Sequence, residues 1–313
     1  SRRHTTATLP TFIGIGPPRT GTSWLDVILR GHVNLPLGHK ETLFFDVRYE
    51  RGLSWYQAHF KKPRPGIPIG EFGPSYFASA AARQRIAEHI PDCKIICTLR
   101  EPVARFYSHY KMWRKLALVK DSFAQVAERH ENLSSYSRYT SNLTAWMETF
   151  GRDRTLVLIH EDARQNRQTY IDRLCDFVGA DRLDLANVSR VDEHVAGVGQ
   201  APRSRRMARR ARQLRGFLAS HRYWRTRKLM LPVFEFFMGR GEEFPPLDRE
   251  LEQRLQRRFA PEIDALEKLL DRDLSLWRQP LAETRALPRA ANEPLGDPAL
   301  SAGHFSDAER EPA

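Results

Sequence analysis

The sequence predicts an α/β fold, a doubly wound parallel sheet of about four to five strands flanked by helices, with a mostly helical C-terminal part. Three observations predict it. Short apolar runs without polar alternation recur in the first half of the chain, as expected of parallel strands covered on both faces. Stretches of helical periodicity separate these runs, the pattern of βαβ units. After about residue 190 the strand pattern stops while helical patterns continue.

The first strand is Thr11 to Gly16 (TFIGIG), which leads through PPRTGTS into a helix patterned on Trp24, Leu25, Val27, Ile28 and Leu29. Further strands are read at Ile67 to Glu71, Lys94 to Arg100 and Thr155 to His160. Between and after them, helices are expected at Ala80 to His89, Val103 to Leu116, Phe123 to Arg129, Leu143 to Phe150 and Tyr170 to Val178. Pro102 is placed to start the second of these. Asp248 to Leu270 reads as one or two helices, with Pro261 suited to the first turn of the second. Residues 1–10 read as a flexible N-terminus, 11–278 as one domain, and 279–313, rich in Ala, Pro, Glu and Arg, as a disordered tail.

Composition bounds the function. The 313 residues carry 50 Lys+Arg against 38 Asp+Glu, a net charge of +12. Eleven of those charges lie in one segment free of acids, 197–228, from Arg203 through Arg205, Arg209, Arg212 and Arg215 to Lys228, and without them the excess is +1. A uniformly basic nucleic-acid coat is therefore excluded, and no nucleic-acid motif is present. The three cysteines, Cys93, Cys97 and Cys175, lack disulfide or zinc spacing, so a reducing, cytoplasmic compartment is expected. The longest apolar stretch, Leu229 to Met238, is far short of the roughly 20 residues of a membrane span. Residues 1–10 lack the apolar core of a signal peptide, although the chain starts at Ser1 rather than Met. The arginine segment offers three readings: part of a nucleotide lid, a platform for an anionic acceptor or membrane surface, or a solvated helix face.

The loop Gly16 to Ser23 has P-loop-like GxxxxG spacing, with Thr22 where a nucleotide-hydrolysing loop carries lysine. A glycine turn feeding a helix N-terminus still presents backbone N–H groups, two hydroxyls and the Arg19 guanidinium to an anion. Taken alone, such a turn is equally a capped strand-to-helix connection without ligand. Arg100 closes the third strand and Ser108 follows eight residues later. In a doubly wound sheet both would face the crevice of the first loop, so two separated phosphates fit the pair of sets.

These residues resemble the sulfotransferases that use 3′-phosphoadenosine 5′-phosphosulfate (PAPS). GPPRTGTSWL is similar to their 5′-phosphosulfate loop and LREPVARFYSHY to their 3′-phosphate motif. HKETLFFD, from His39, and GEFGPSYF, from Gly70, are similar to the heparan sulfate N- and 3-O-sulfotransferase branch. FAPEIDALEKLLDRDLSLW, from Phe259, resembles the closing helix of bacterial members. The resemblance spans roughly residues 11–278. It implies that Arg19, Thr20, Gly21, Thr22, Ser23 and Trp24 hold the 5′ end of PAPS, that Arg100, Ser108 and Arg203 hold its 3′-phosphate, and that Glu41 is the general base with Arg19 as catalytic partner. Gly197 and Gly199 would join Arg203 in the lid. His39, Lys40, Phe72 and Tyr76 would meet an acceptor hydroxyl or amine on a saccharide, lipid or other metabolite. His39 and His109 are alternative bases. No metal is required. Two departures stand out: Arg19 fills a position often held by Lys, and Phe72 follows Glu71 where glycan-modifying members carry Lys. The alternatives are a P-loop kinase or NTPase, disfavoured by Thr22, and a non-enzymatic polyanion binder using the arginine segment. Nothing in the sequence sets an oligomeric state.

Overall fold

The computed structural model describes residues 8–37, 40–130, 135–188, 200–202, 204–210, 213 and 240–281. Four strands form one parallel sheet: β1 (Phe12–Gly14), β2 (Gly70–Phe72), β3 (Lys94–Leu99) and β4 (Thr155–Ile159), in the order β2-β1-β3-β4. All three pairings are parallel, with Phe12 beside Gly70 and Lys94, and Ile95 beside Thr155. The chain leaves β1 to one side for β2 and returns to its other side for β3. That reversal opens a crevice at the carboxyl ends of β1 and β3, where ligands bind in such sheets.

The strands lack alternation because both faces are covered. Ile13, Ile95, Cys97 and Leu99 enter one core with α3 (Ala80–His89), α6 (Tyr139–Phe150) and Trp277. Phe12, Ile96 and Leu158 enter a second with α1 (Thr22–Leu29) and α8 (Arg167–Val178). A third cluster joins α4 (Pro102–Lys115) and α5 (Phe123–Arg129) to Leu251, Leu255 and Phe259. The remaining short helices are α2 (Leu53–Gln57) and α7 (His160–Gln165). His160, read as the end of the fourth strand, instead opens α7.

The C-terminal part refines the expectations. Residues 249–270 form one helix, α9 (Arg249–Leu270), the first of the two arrangements read from the sequence, with Pro261 inside it. Its buried residues Leu251, Leu255, Phe259, Ile263 and Leu266 form one stripe spanning two cores, and that burial outweighs the backbone bond forgone at Pro261. Strand structure also does not stop at 190, because β5 (Gln200–Pro202) pairs antiparallel with β6 (Arg240–Glu243). Packing continues past 278: Leu281 is buried in the third cluster, and its N–H donates to Glu252 Oε1 at 2.6 Å. At the other end, Pro10 is buried and Leu9 packs on the first core. Residues 1–7, 282–313 and most of the arginine segment, including Gly197, Gly199, Arg203, Arg212 and Arg215, lie outside the described residues.

Candidate active site

The loop after β1 is built by close backbone approach. A Cβ placed on Gly16 would sit 2.0 Å from Thr98 Oγ1 and 2.6 Å from the Thr98 backbone N and O, so only glycine lets the loop lie against β3. The Thr20 hydroxyl donates to the Pro17 carbonyl at 2.8 Å and lies 2.6 Å from Thr98 Oγ1. Arg19, at φ +76°, and Gly21, at φ +100°, both occupy the left-handed region. For arginine that conformation is strained, and strain of this kind collects at ligand sites. Gly21 caps α1 without a side-chain hydrogen bond to the helix. The helix therefore opens toward the crevice with the positive end of its dipole.

Cations converge on this turn. Arg19 Nε donates to Ser108 Oγ at 2.9 Å, and Arg100 Nη1 donates to the Arg19 carbonyl at 3.3 Å. The two phosphate-binding sets predicted from sequence are thus in direct contact. Arg105, fully buried one turn before His109, lies beneath them with Nε donating to Ser137 Oγ at 2.9 Å and Nη1 reaching the Pro18 carbonyl at 3.5 Å. Burial, and the nearby Arg100 charge, lower the Arg19 pKa to about 10, which leaves it cationic at neutral pH. Like charges gathered this closely favour an anion, and the buried acids Glu101 and Glu161, whose carboxylates the Arg100 charge favours, offset part of them.

Lys40 links the loop to the acid. Its Nζ donates at 3.0 Å to Thr22 Oγ1 and at 3.0 Å to Glu41 Oε1, so an ammonium returns to the position where Thr22 replaces the loop lysine. Glu41 is half-buried, with 17% of its side chain exposed. The segment behind it is pinned. Thr42 donates to Glu71 Oε2 at 2.7 Å, and Tyr56 and Tyr76 both donate to Glu71 Oε1 at 3.0 Å. Leu43 adopts φ +55° and accepts from the Val47 and Arg48 N–H groups. Burial raises the Glu71 pKa to about 7 even though its three hydroxyl donors favour the carboxylate.

The structure brings together Arg19, Thr20, Gly21, Thr22, Ser23, Lys40, Glu41, Arg100 and Ser108 at the carboxyl ends of β1 and β3. It gives other residues different work. The Thr20 hydroxyl is buried against Pro17 and Thr98, so that side chain braces the loop. Trp24 is buried and packs on Tyr170, anchoring α1 to α8. Phe72 is fully buried and meets Phe12 edge-on, and Tyr76 is fully buried on Glu71; neither presents a surface to an acceptor. His109 is fully buried, its Nδ1 accepts from Arg105, and burial together with the Arg105 and Arg19 charges holds it neutral. His39 and Arg203 lie outside the described residues. In the arginine segment, residues 205–210 are helical. Arg205 donates to the Val119 carbonyl at 3.3 Å, Ala208 is buried, and Arg206, Arg209 and Arg210 face solvent.

Sequence reasoning missed His160, Arg105 and Thr98. His160 follows β4 directly, and its Nδ1 would lie 3.1 Å from a Cβ on Gly21. Burial and the surrounding arginines, Arg100 first, push its pKa to about 3, so it stays neutral beside the loop. Applying the strand-end rule to the fourth strand as well as the third would have found it. Arg105 had no such signal, being one of several basic residues on α4.

Among the described residues no group of three or more His, Cys, Asp or Glu is arranged to hold a metal, and no helix is long and apolar enough to cross a membrane. Cys93, Cys97 and Cys175 are all buried and free.

The family profile described as the sulfotransferase domain matches residues 9–196. Human heparan sulfate glucosamine 3-O-sulfotransferase 6 is 31% identical over 182 residues, covering 56% of this chain and 53% of that protein. Human bifunctional heparan sulfate N-deacetylase/N-sulfotransferase 3 is 30% identical over 202 residues, covering 57% of this chain and 23% of that protein. The chain thus spans about half the length, or less, of these curated relatives. A sulfotransferase from Alicyclobacillus acidocaldarius has the same fold, with a TM-score of 0.63 at 21% identity over 87% of this chain and 99% of that one. With a loop and a strand-end arginine joined at one crevice, and more than half of its length matched by the family profile, the chain belongs to the sulfotransferase domain family.

Proposed function

We propose that this chain transfers a sulfuryl group from PAPS to a hydroxyl or amine of a saccharide. The observation that carries this reading is Lys40, whose ammonium stands 3.0 Å from both the loop hydroxyl of Thr22 and the Glu41 carboxylate. A carboxylate tied to the anion loop by a shared cation lies close to any group held in that loop, which supports Glu41 as the base for an acceptor attacking there.

The residues fit PAPS. Left-handed Arg19 and Gly21 turn the loop N–H groups inward for a 5′-phosphosulfate, and Arg100 with Ser108 offers a second anion position for a 3′-phosphate. When bound, PAPS supplies an electrophilic sulfuryl group on a phosphate leaving group. Glu41 accepts the proton of the acceptor hydroxyl or amine as its oxygen or nitrogen forms the new bond to sulfur. Lys40, Arg19 and the loop N–H groups stabilise the charge left on the phosphate oxygen, and removing one such donor typically costs about 10²–10³ in rate. One relative named above is a heparan sulfate glucosamine 3-O-sulfotransferase and another a heparan sulfate N-deacetylase/N-sulfotransferase, which makes a glucosamine-containing saccharide the first acceptor to test. Phe72 stands in the core where glycan-modifying members carry Lys, so the acceptor here lacks that cationic contact.

The test is transfer of labelled sulfate from PAPS to a panel of glucosamine-containing oligosaccharides, beside calorimetric titration of adenosine 3′,5′-bisphosphate. Tight bisphosphate binding with transfer to a member of the panel supports the reading. Hydrolysis of ATP with no affinity for the bisphosphate would overturn it in favour of a nucleotide hydrolase. Bisphosphate binding without transfer to any saccharide would move the acceptor to another class.

A further inference from the structure

We propose that the peptide group between Arg100 and Glu101 is held in a clamp braced by Trp277, which makes Trp277 a positioning residue for the Arg100 anion site. The proposal rests on the reading that Arg100 meets the 3′-phosphate. Trp277 lies in the closing 3₁₀ turn Ser275–Arg278, beyond the residues that the family profile matches.

A peptide group is planar, so fixing its C=O and its N–H fixes the plane and the two Cα atoms that lie in it, among them the Arg100 Cα from which the side chain departs. Both ends of this group are held. Tyr139 Oη donates to the Arg100 carbonyl at 2.7 Å, and the Glu101 N–H donates to Glu161 Oε1 at 3.2 Å. Trp277 touches both holders. Its Nε1–H donates to Glu161 Oε2 at 3.1 Å, and its ring meets the Tyr139 ring edge-on, with centroids 6.0 Å apart and an interplanar angle of 65°. The Glu101 carboxylate in turn caps α4 through the Val103 and Ala104 N–H groups, so the same clamp sets the start of the helix that carries Ser108.

The brace is itself anchored. Arg278 pairs with Asp264 and Glu267, and the Leu274 N–H donates to Glu267 Oε1 at 2.7 Å, which fastens the turn to α9. Trp277 is 1% exposed, and a large apolar side chain would fill that space as well. What an apolar residue could not do is satisfy the second oxygen of a buried carboxylate and so hold Glu161 in one orientation.

The experiment uses the full chain and two probes, adenosine 3′,5′-bisphosphate and adenosine 5′-monophosphate, which differ in the 3′-phosphate. The wild type is expected to prefer the bisphosphate, and Arg100→Ala to abolish that preference. Trp277→Phe keeps the ring and removes the N–H. It should lower bisphosphate affinity roughly tenfold, the scale of one hydrogen bond to a charged group, while leaving monophosphate affinity unchanged. Tyr139→Phe, which removes one hydroxyl, should shift the preference the same way and decides the question should Trp277→Phe lose its fold by circular dichroism. If neither variant changes the preference, or if both probes weaken equally, the clamp is overturned and Trp277 is a packing residue. A wild type with no preference for the bisphosphate would instead overturn the assignment of Arg100, and this inference with it.

Discussion

Arg19 combines a strained backbone with a charged side chain, and each does separate work. The left-handed φ turns the loop toward the crevice, and Nε is held by Ser108. Lysine there would keep the charge but lose the fork that, in the proposed reading, would span Ser108 and a phosphate. In the proposed function Glu41 acts on the acceptor and Arg100 on the nucleotide, so their variants should separate. Glu41→Gln should lower the transfer rate by about 10²–10⁴, the usual worth of a general base, with bisphosphate affinity unchanged by calorimetry. Arg100→Ala should lower bisphosphate affinity roughly 10- to 100-fold, as expected for losing charge-assisted bonds. A Glu41→Gln enzyme with full activity would remove it from the base role.

The strand-to-loop connections are where individual elements are most exposed to substitution. Gly16 lies against the backbone of Thr98, and a Cβ there cannot be accommodated by rotating a side chain. Gly16→Ala should therefore destabilise the fold by about 1–3 kcal/mol or more, read from denaturant midpoints. The turn that carries Glu41 depends on Glu71, a carboxyl buried at the end of β2 with three hydroxyl donors. Its folded pKa, about 7, is above the ordinary 4.5, so the native state binds the extra proton. Stability from this group is complete below about pH 4.5 and is lost as pH rises through 7. Glu71→Gln, which is neutral throughout, should thus gain about 2–3 kcal/mol relative to wild type between pH 4.5 and 8. Equal stability differences at both ends of that range would show that Glu71 is not the titrating group.

At the scale of the whole molecule, the part matched by the family profile, residues 9–196, contains only part of the core that stabilises it. Ile263, Leu266, Leu274 and Trp277 belong to the first cluster, and Leu251, Leu255 and Phe259 to the third. Each fully buried aliphatic or aromatic side chain of this kind contributes roughly 1.5–3 kcal/mol, so their loss exceeds the stability of an ordinary domain. A chain ending at residue 248 should accordingly fail to give a cooperative thermal transition by calorimetry, whereas the intact chain should show one. Retention of a sharp transition would mean that the sheet and its first helices fold without α9.

The sequence by itself determined the local elements and the chemistry of the loop. Apolar runs located the four strands because both faces of the sheet are covered, though the second, read at Ile67 to Glu71, forms at Gly70–Phe72, and helix periods gave α3 and α5 to the residue. GxxxxG with Thr22, and Arg100 with Ser108, were legible because phosphate binding needs glycine, hydroxyl and guanidinium at short fixed spacings. The tertiary structure alone decided which side chains face the crevice. Phe72, Tyr76 and Trp24 sit within or beside family motifs yet point into packed cores, while Arg105, inside LREPVARFYSHY but given no role there, and His160 both approach the loop. The orientation of a side chain near the end of a three-residue strand depends on what covers it. Here the cover comes from α8, from the Glu71 hydroxyl network and from a closing turn more than 170 residues beyond Arg100, contacts that no local spacing encodes.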